Sequence, residues 1–465
     1  MILGPDGKPY AVVRRHNPIG IRGSYDAAQS GPLNRNHWAN TDNLSADAAN
    51  SLSVRKTLRE RARYEVANNS YARGILDTLA NSIIGTGPRL QFRSENKDLN
   101  RLVVEEFFEW SDRIRLGEKL RAMVVAKVTD GEAFGHMFTN PMLPRAQLDF
   151  ELVETDRVAS DSMTPDAKDI DGVHLDDYGN VVDYSVLKSH PGGRTGAANK
   201  SEKVPAELFL HWFRMDRPGQ HRGVSEITSA LPLFAQLRRF TLAVITAAEV
   251  AADFAAVLWT DSPANEDYQP VDPLEEFDLG RGVVTSLPDG WKLGQVETKQ
   301  PATTYSEFKR EVLNEIARCL SMPYNIAACD SSKYNYASGR LDHQIYHRMV
   351  KVVQGHLLSR IVNPLFNNWL FEVMRLPEFS ALRAMEKFPR NWFFDGWEHV
   401  DPYKEAVAQA SRLENGTTTL AIEYVRQGLD WEEALEQRGR EIERMRELGI
   451  PLPQDQPASN GEKDK

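Results

Sequence analysis

From Val54 to Ile84 the apolar residues Leu58, Val66, Ile75, Leu79 and Ile83 fall at spacings that place them on one side of a helix. The run stops at Gly85-Thr86-Gly87-Pro88, a helix end followed by a turn. Further helices are predicted at Lys97 to Trp110 and Leu120 to Thr129. The period then shortens to two: Phe134, His136, Phe138; Leu148, Phe150, Leu152; Val181 to Leu187 after the turn Asp176 to Asn180; Leu208, Leu210, Trp212. This pattern predicts a mixed α+β domain over 54–223. His190 to Lys203 reads as an exposed loop, and residues 1–53, rich in Gly, Pro, Asn and Ser, as an extended arm.

The middle of the chain is long and helical. Ser225 to Trp259 predicts one helix about 52 Å long, with Pro232 in its first turns and an Ala-dense stretch from Ala247 to Ala256. Thr304 with Glu307 has the form of a capping box and opens a second helix, with stripe Phe308, Val312, Ile316 and Leu320, that stops at Ser321-Met322-Pro323. Between them lie strand-like pieces at Val283-Val284 and Trp291 to Val296. A polar loop, Tyr324 to Gly339, leads to a third long helix, Arg340 to Arg375, with a kink expected at Pro364. Asp401-Pro402, Thr418 and Asp430 begin three short capped helices, and 451–465 reads as a disordered tail.

Composition narrows the function. The 465 residues carry 56 Lys+Arg against 66 Asp+Glu, a net −10, so gripping a phosphate backbone by bulk charge is disfavoured. Seven acids, including Glu266, Asp267, Asp272, Glu275, Glu276 and Asp278, fall between Asp261 and Gly280 with no Lys or Arg among them. Two cysteines make no disulfide framework and Met1 to Asp6 has no secretory pattern, which predicts a cytosolic chain. Phe240 to Trp259 approaches the length of a membrane span, but Glu249 and Asp253 lie inside it. A carboxylate at a span's centre costs a few kcal/mol, so a long helix outside any membrane is favoured.

Chemistry is scarce. No phosphate-binding GxxxxGK[ST], G-x-G-x-x-G, G-x-S-x-G or H-E-x-x-H stretch is present. The best metal candidate pairs His343 and His347, four residues apart on one helix face, with Cys319 or Cys329, and would make a metal-dependent hydrolase. The two cysteines are spaced too widely for a compact site. Asp176-Asp177 falls in a hairpin turn, and Glu249 with Asp253 on a long helix, so both pairs suit solvated or lumen-facing positions better than acid–base work.

The order of elements suits a ring subunit that lines a tunnel: mixed domain, long helix, acidic insert, returning helix, polar loop, long helix. Here the sequence resembles the tailed-phage portal proteins, in particular their lambda-like branch. The resemblance is carried by His211-Trp212-Phe213-Arg214-Met215-Asp216-Arg217-Pro218-Gly219-Gln220-His221-Arg222-Gly223-Val224-Ser225, by Met322-Pro323-Tyr324, and by Asn335-Tyr336-Ala337-Ser338-Gly339-Arg340. Trp397-Glu398-His399-Val400-Asp401-Pro402-Tyr403-Lys404-Glu405-Ala406 and Gly428-Leu429-Asp430-Trp431 complete it. The resemblance implies a multi-domain α+β portal fold: wing to 223, stem helices 224–260 and 304–323, clip 261–303, tunnel loop 324–339, wing spine 340–400 and helical crown 401–450.

It further implies a homo-oligomeric ring of twelve subunits, assembled in the host cytoplasm at one vertex of the virion capsid, with no catalytic centre and no cofactor. Double-stranded DNA would pass through transiently while the terminase large subunit hydrolyses ATP. Head–tail adaptor proteins and the major capsid or scaffold protein would be further partners, the acidic clip being the docking surface. Twelve copies at −10 sum to roughly −120, a field that disfavours sticking to DNA. Glu249 and Asp253 are then candidates for the channel lining. Lys333, Tyr334, Asn335, Tyr336 and Arg340 are candidates for passing contacts with DNA. Arg217 and Arg222 are expected to brace a turn or a subunit contact.

Overall fold

Asn69 ends one helix and starts the next in the structure, a computed structural model that describes residues 36–37, 40–160, 168–193, 200–253, 257–260, 291–294, 302–397 and 401–451. Helices α1 (Ala46–Ala49) and α2 (Leu52–Asn68) lead to α3 (Ser70–Ile84), whose first turn is capped by Asn69 Oδ1 accepting from the Tyr71 and Ala72 N–H groups. Gly85, at φ 56°, closes α3 at the predicted stop. Strand β1 (Arg89–Phe92) and helices α4 (Lys97–Arg113) and α5 (Leu116–Asp130) follow.

Three antiparallel strands come next in space, β2 (Glu132–Thr139) lying between β3 (Leu148–Val153) and a later strand, β8 (Phe209–Phe213). Beside them is a four-stranded meander: β4 (Asp169–Ile170), β5 (Val173–Leu175), β6 (Val181–Leu187) and β7 (Ser201–Pro205). The expected turn before β6 is built on Asp176, whose Oδ1 accepts from the Tyr178 and Asn180 N–H groups, each at 2.8 Å. The segment expected to be a loop up to Lys203 instead enters β7 at Ser201. Its Val204 is buried opposite Tyr184.

The β2 sheet separates two cores because side chains alternate across it. Phe134, Val153 and Phe209 face the meander with Val173, Tyr184, Val186 and Val204. Ala133, Met137, Phe150, Leu210 and Trp212 face the helices. Phe107 of α4 lies at the centre of the larger core, with ring centroids 5.0 Å from Trp369, 5.6 Å from Phe366 and 5.4 Å from Trp392. Such edge-on pairs add about 0.5–1.5 kcal/mol each beyond the burial itself.

The long helix begins later and ends earlier than the pattern predicts. A 3-10 turn, Thr228–Ala230, precedes α6 (Leu231–Asp253), with Pro232 in the first turn, where its missing N–H is harmless. Residues Val257–Thr260 are not helical but form β9, antiparallel to β10 (Trp291–Gly294). Val257, Trp259 and Thr260 are β-branched or aromatic, and pairing overrides the helical run before them.

Helix α7 (Ala302–Cys319) ends at Ser321, φ 53°, and the short α8 (Tyr324–Ala327) follows Pro323. The third long helix starts at Tyr336 rather than Arg340: α9 (Tyr336–Leu357) passes through a π-helical turn, Leu358–Val362, into α10 (Asn363–Val373). The kink expected at Pro364 is this wider turn, which accommodates a residue that cannot donate back to the preceding turn. Strand β11 (Arg390–Phe393) returns to pair with β1. Helices α11 (Pro402–Glu414), α12 (Leu420–Arg426) and α13 (Trp431–Glu447) are capped by Asp401, Thr419 and Asp430, close to prediction.

Candidate functional site

The stretch Arg214 to Ser225 is a scaffold around one buried carboxylate. Glu132, the first residue of β2, is fully buried. Arg222 grips both its oxygens, Nη2 lying 2.7 Å from Oε1 and Nε 3.0 Å from Oε2, and the Gly223 N–H and His211 Nε2 also reach Oε2 at 3.0 and 3.2 Å. Arg55 of α2 approaches at 3.4 Å and also pairs with Asp171. Gln220 holds the loop closed, accepting from the Asp216 and Arg217 N–H groups and donating to the Arg222 carbonyl.

Burial pushes the Glu132 carboxyl up, but Arg222, the hydrogen bond from His211 and Arg55 outweigh it and hold the group well below the usual carboxylate range. Burial, with Arg222 adding to it, pushes Arg55 down to about 10, still protonated at neutral pH. Burial likewise lowers His211, which stays neutral. The ionised Glu132 carboxylate can only accept, so His211 carries its proton on Nε2 and its Nδ1 accepts from the Tyr184 OH, 3.3 Å away.

Arg55 belongs to a ladder on one side of α2. Arg59 reaches Asp156 at 2.7 Å, and Arg63 reaches Asp130 at 2.6 Å and Asp156 at 2.9 Å. The end of the N-terminal segment docks on the same loop: Arg217 donates to the Leu44 carbonyl, and Asp47 accepts from both the N–H and Nδ1 of His221. Arg217 and Arg222 thus brace a turn, as expected. Glu132, which receives most of these contacts, carries no local signal in the sequence, because Arg222 lies ninety residues further along the chain.

Helices α6 and α7 run antiparallel. Ser229 Oγ, just before α6, lies 3.1 Å from Cys319 Sγ at the end of α7, while Phe240 meets Tyr305 and Phe308 at the other end, with centroids 5.8 and 4.7 Å apart. Beyond Phe240, α6 is largely exposed. Leu242 is 57% exposed and Ile245 49%, and Glu249 is exposed with them. Asp253 is the last residue of α6; nothing is described of its side chain. The acidic segment with Glu266, Asp267, Asp272, Glu275, Glu276 and Asp278 lies outside the described residues, as does Val283-Val284.

The loop before α9 separates its candidates. Lys333 is exposed. Tyr334 packs partly buried against the main core. Asn335 caps α9: its Oδ1 accepts from the Ser338 N–H at 2.9 Å while Ser338 Oγ reaches back to the Asn335 N–H. Tyr336 begins α9, its side chain undescribed, and Arg340 projects from the next turn, exposed.

A family model described as "Phage portal protein, lambda family" matches residues 33–354. The chain belongs to this family. A probable portal protein of Halomonas phage phiHAP-1 is 25% identical, the match covering 97% of this chain and 92% of that protein. Portal protein B of Escherichia phage lambda is 23% identical over 97% and 94%. Among solved structures, the neck of an empty gene transfer agent (GTA) particle superposes with a TM-score of 0.49 at 14% identity, covering 78% of this chain and 91% of that one.

In this portal protein the residues of the hydrolase alternative do not converge. His347 stacks on Trp397, with centroids 4.1 Å apart and planes 9° from parallel, and His343 Nε2 accepts from Asn325 Nδ2 at 2.9 Å. Cys319 donates to the Glu226 carbonyl at the α6–α7 junction, and Cys329 is exposed beside the Ile326 carbonyl. A His343→Ala/His347→Ala variant is expected to lose about 1 kcal/mol of stability from the lost stacking and to keep the metal content of the unaltered portal, by denaturant titration and elemental analysis.

Among the described residues, Glu154, Asp156 and His190 do come together. His190 Nδ1 accepts from the Gly192 N–H at 3.0 Å, and Nε2 lies 3.0 Å from a Glu154 carboxylate oxygen without hydrogen-bond alignment. Asp156 is already paired with Arg59 and Arg63. With Asp156 committed to two guanidinium groups and His190 Nδ1 to a backbone N–H, the cluster is a poor cation site. No helix among the described residues is long and apolar enough to cross a membrane.

Proposed function

We propose that this portal protein is one subunit of a twelve-membered ring at a single capsid vertex. DNA is packaged through the ring by the terminase and later ejected, and the head–tail adaptors attach to it. In this reading residues 54–223 are the wing, 224–260 and 304–323 the stem, 261–303 the clip, 324–339 the tunnel loop, 340–400 the spine and 401–450 the crown. The virion's neck is its location, and the major capsid or scaffold protein surrounds it. The observation that carries the reading is the antiparallel α6–α7 pair, which leaves Leu242, Ile245 and Phe308 uncovered in a single subunit. Apolar surface of this kind on paired helices suits a neighbouring copy.

The charge of the chain fits a conduit. Each phosphate neutralised by Lys or Arg adds salt-dependent affinity, and a ring carrying net −10 per copy adds little of it. Glu249 and Asp253 are proposed to face the lumen, and the acidic clip to dock the terminase and adaptors. Exposed Lys333 is proposed to meet the duplex in passing, from a loop that Tyr334 and Asn335 hold in place. Fluorescence anisotropy with a duplex at physiological salt is expected to give affinity at or weaker than the weak end of non-specific binding, about 10⁻⁴ M. Micromolar or tighter binding would contradict a conduit.

A further inference from the structure

Two helices of this chain carry complementary stripes with no partner. On α7, Glu307, Glu311 and Glu315 succeed one another at one-turn intervals, all exposed, with half-exposed Phe308 along one side. On α9, Arg340, Gln344, Arg348 and Lys351 form an exposed polar row, with Leu341, Ile345 and Val352 along the same side, 63%, 59% and 55% exposed. Among the described residues none of the three glutamates, nor Arg340 or Arg348, forms an ion pair or hydrogen bond; Lys351 lies 5.5 Å from the Trp397 ring. Glu307 and Glu315 lie eight residues apart, as do Arg340 and Arg348, about 12 Å along a helix axis.

We infer that α7 of one subunit packs antiparallel against α9 of the next copy in the ring, Glu315 meeting Arg340 and Glu307 meeting Arg348. In antiparallel helices equivalent flanks face each other, so acid meets base and Phe308 meets the apolar row of α9; parallel packing sets acid against apolar. Antiparallel packing also keeps Arg318, at the end of the α7 stripe, away from Lys351. The contact is heterologous, joining two different surfaces, which is what a closed ring requires. It assigns Arg340 to the subunit contact rather than to DNA. Desolvation of the apolar row would supply affinity, and the charges would fix register and exclude the reversed alignment.

The inference rests on the ring reading, and the test separates the two. Mass photometry compares the full chain, an Arg340→Glu/Arg348→Glu variant, and a variant combining these with Glu307→Arg/Glu315→Arg. The unaltered chain is expected to form rings, the double variant to need about tenfold more protein or to remain as single subunits, and the combined variant to form rings again. All the altered residues are exposed, and recovery in the combined variant excludes misfolding. Rings that form equally well in the double variant, or that fail to return in the combined one, overturn the contact. Failure of the unaltered chain to form rings overturns the ring reading instead.

Discussion

Glu132→Ala is expected to destabilise the subunit by about 3–5 kcal/mol, the range for removing one partner of a buried ion pair. The substitution leaves the buried Arg222 guanidinium without its counter-charge and also takes the acceptor from the Gly223 N–H and His211 Nε2. Three chain segments would separate: the start of α2 through Arg55, the entry to β2, and the Arg214–Ser225 loop. A fall of the urea midpoint, with little change in slope, is the readout. Glu132→Gln keeps shape and one acceptor but not the charge, and should fall between.

The same site gives the subunit an acid limit. Glu132 titrates below its unfolded value of 4.5, so its contribution is complete above that pH and is lost as pH falls through the lower folded value. His211 is lowered from 6.5, so its neutral, buried form also favours folding less as pH falls below 6.5. Asp130 works in the opposite sense, because burial outweighs Arg63 and raises it. Stability is therefore expected to decline gently below pH 6.5 and steeply below 4.5, and the steep part to be shallower in Glu132→Gln, where Asp149 and Asp156, also held, despite burial, below the usual carboxylate range by their Lys and Arg partners, still titrate.

Gly223→Ala is expected to cost more than about 3 kcal/mol, beyond the usual range for overpacking. A Cβ there would drive into the Gly131 carbonyl and meet the Glu132 side chain at 2.9 Å. Backbone, unlike the end of a flexible side chain, cannot turn aside. Gly131 has the reciprocal constraint: φ is 97°, and a Cβ would lie 2.6 Å from the Ser225 nitrogen. The two glycines let the loop approach β2 closely enough for Arg222 to reach Glu132. Thermal unfolding of Gly223→Ala, beside the exposed Gly439→Ala as a control in open space at an ordinary helical conformation, checks this.

Much of the fold is legible in the sequence where the determinants are local. The capped C-terminal helices, β6 after its Asp176 turn, and the α4 and α7 stripes lie within a few residues of prediction because caps and periodicity act over one or two turns. What escapes is set by distant partners. Strand β1 needs β11, three hundred residues away, and Val257–Thr260 reads as helix until Trp291–Gly294 pairs with it. Asn335 looks like a polar loop residue because its task, capping α9, depends on where the helix starts. The family-specific stretch from Arg214 to Ser225 is plain in the sequence. Its reason, the enclosure of Glu132, appears only when β2 and β8 are placed side by side.

The central claim is that this subunit closes into a ring around a channel, and mass photometry of the purified full chain, over rising concentration, tests it most directly. The expected result is a discrete species near twelve times 52.6 kDa. Single subunits alone at every concentration would contradict it.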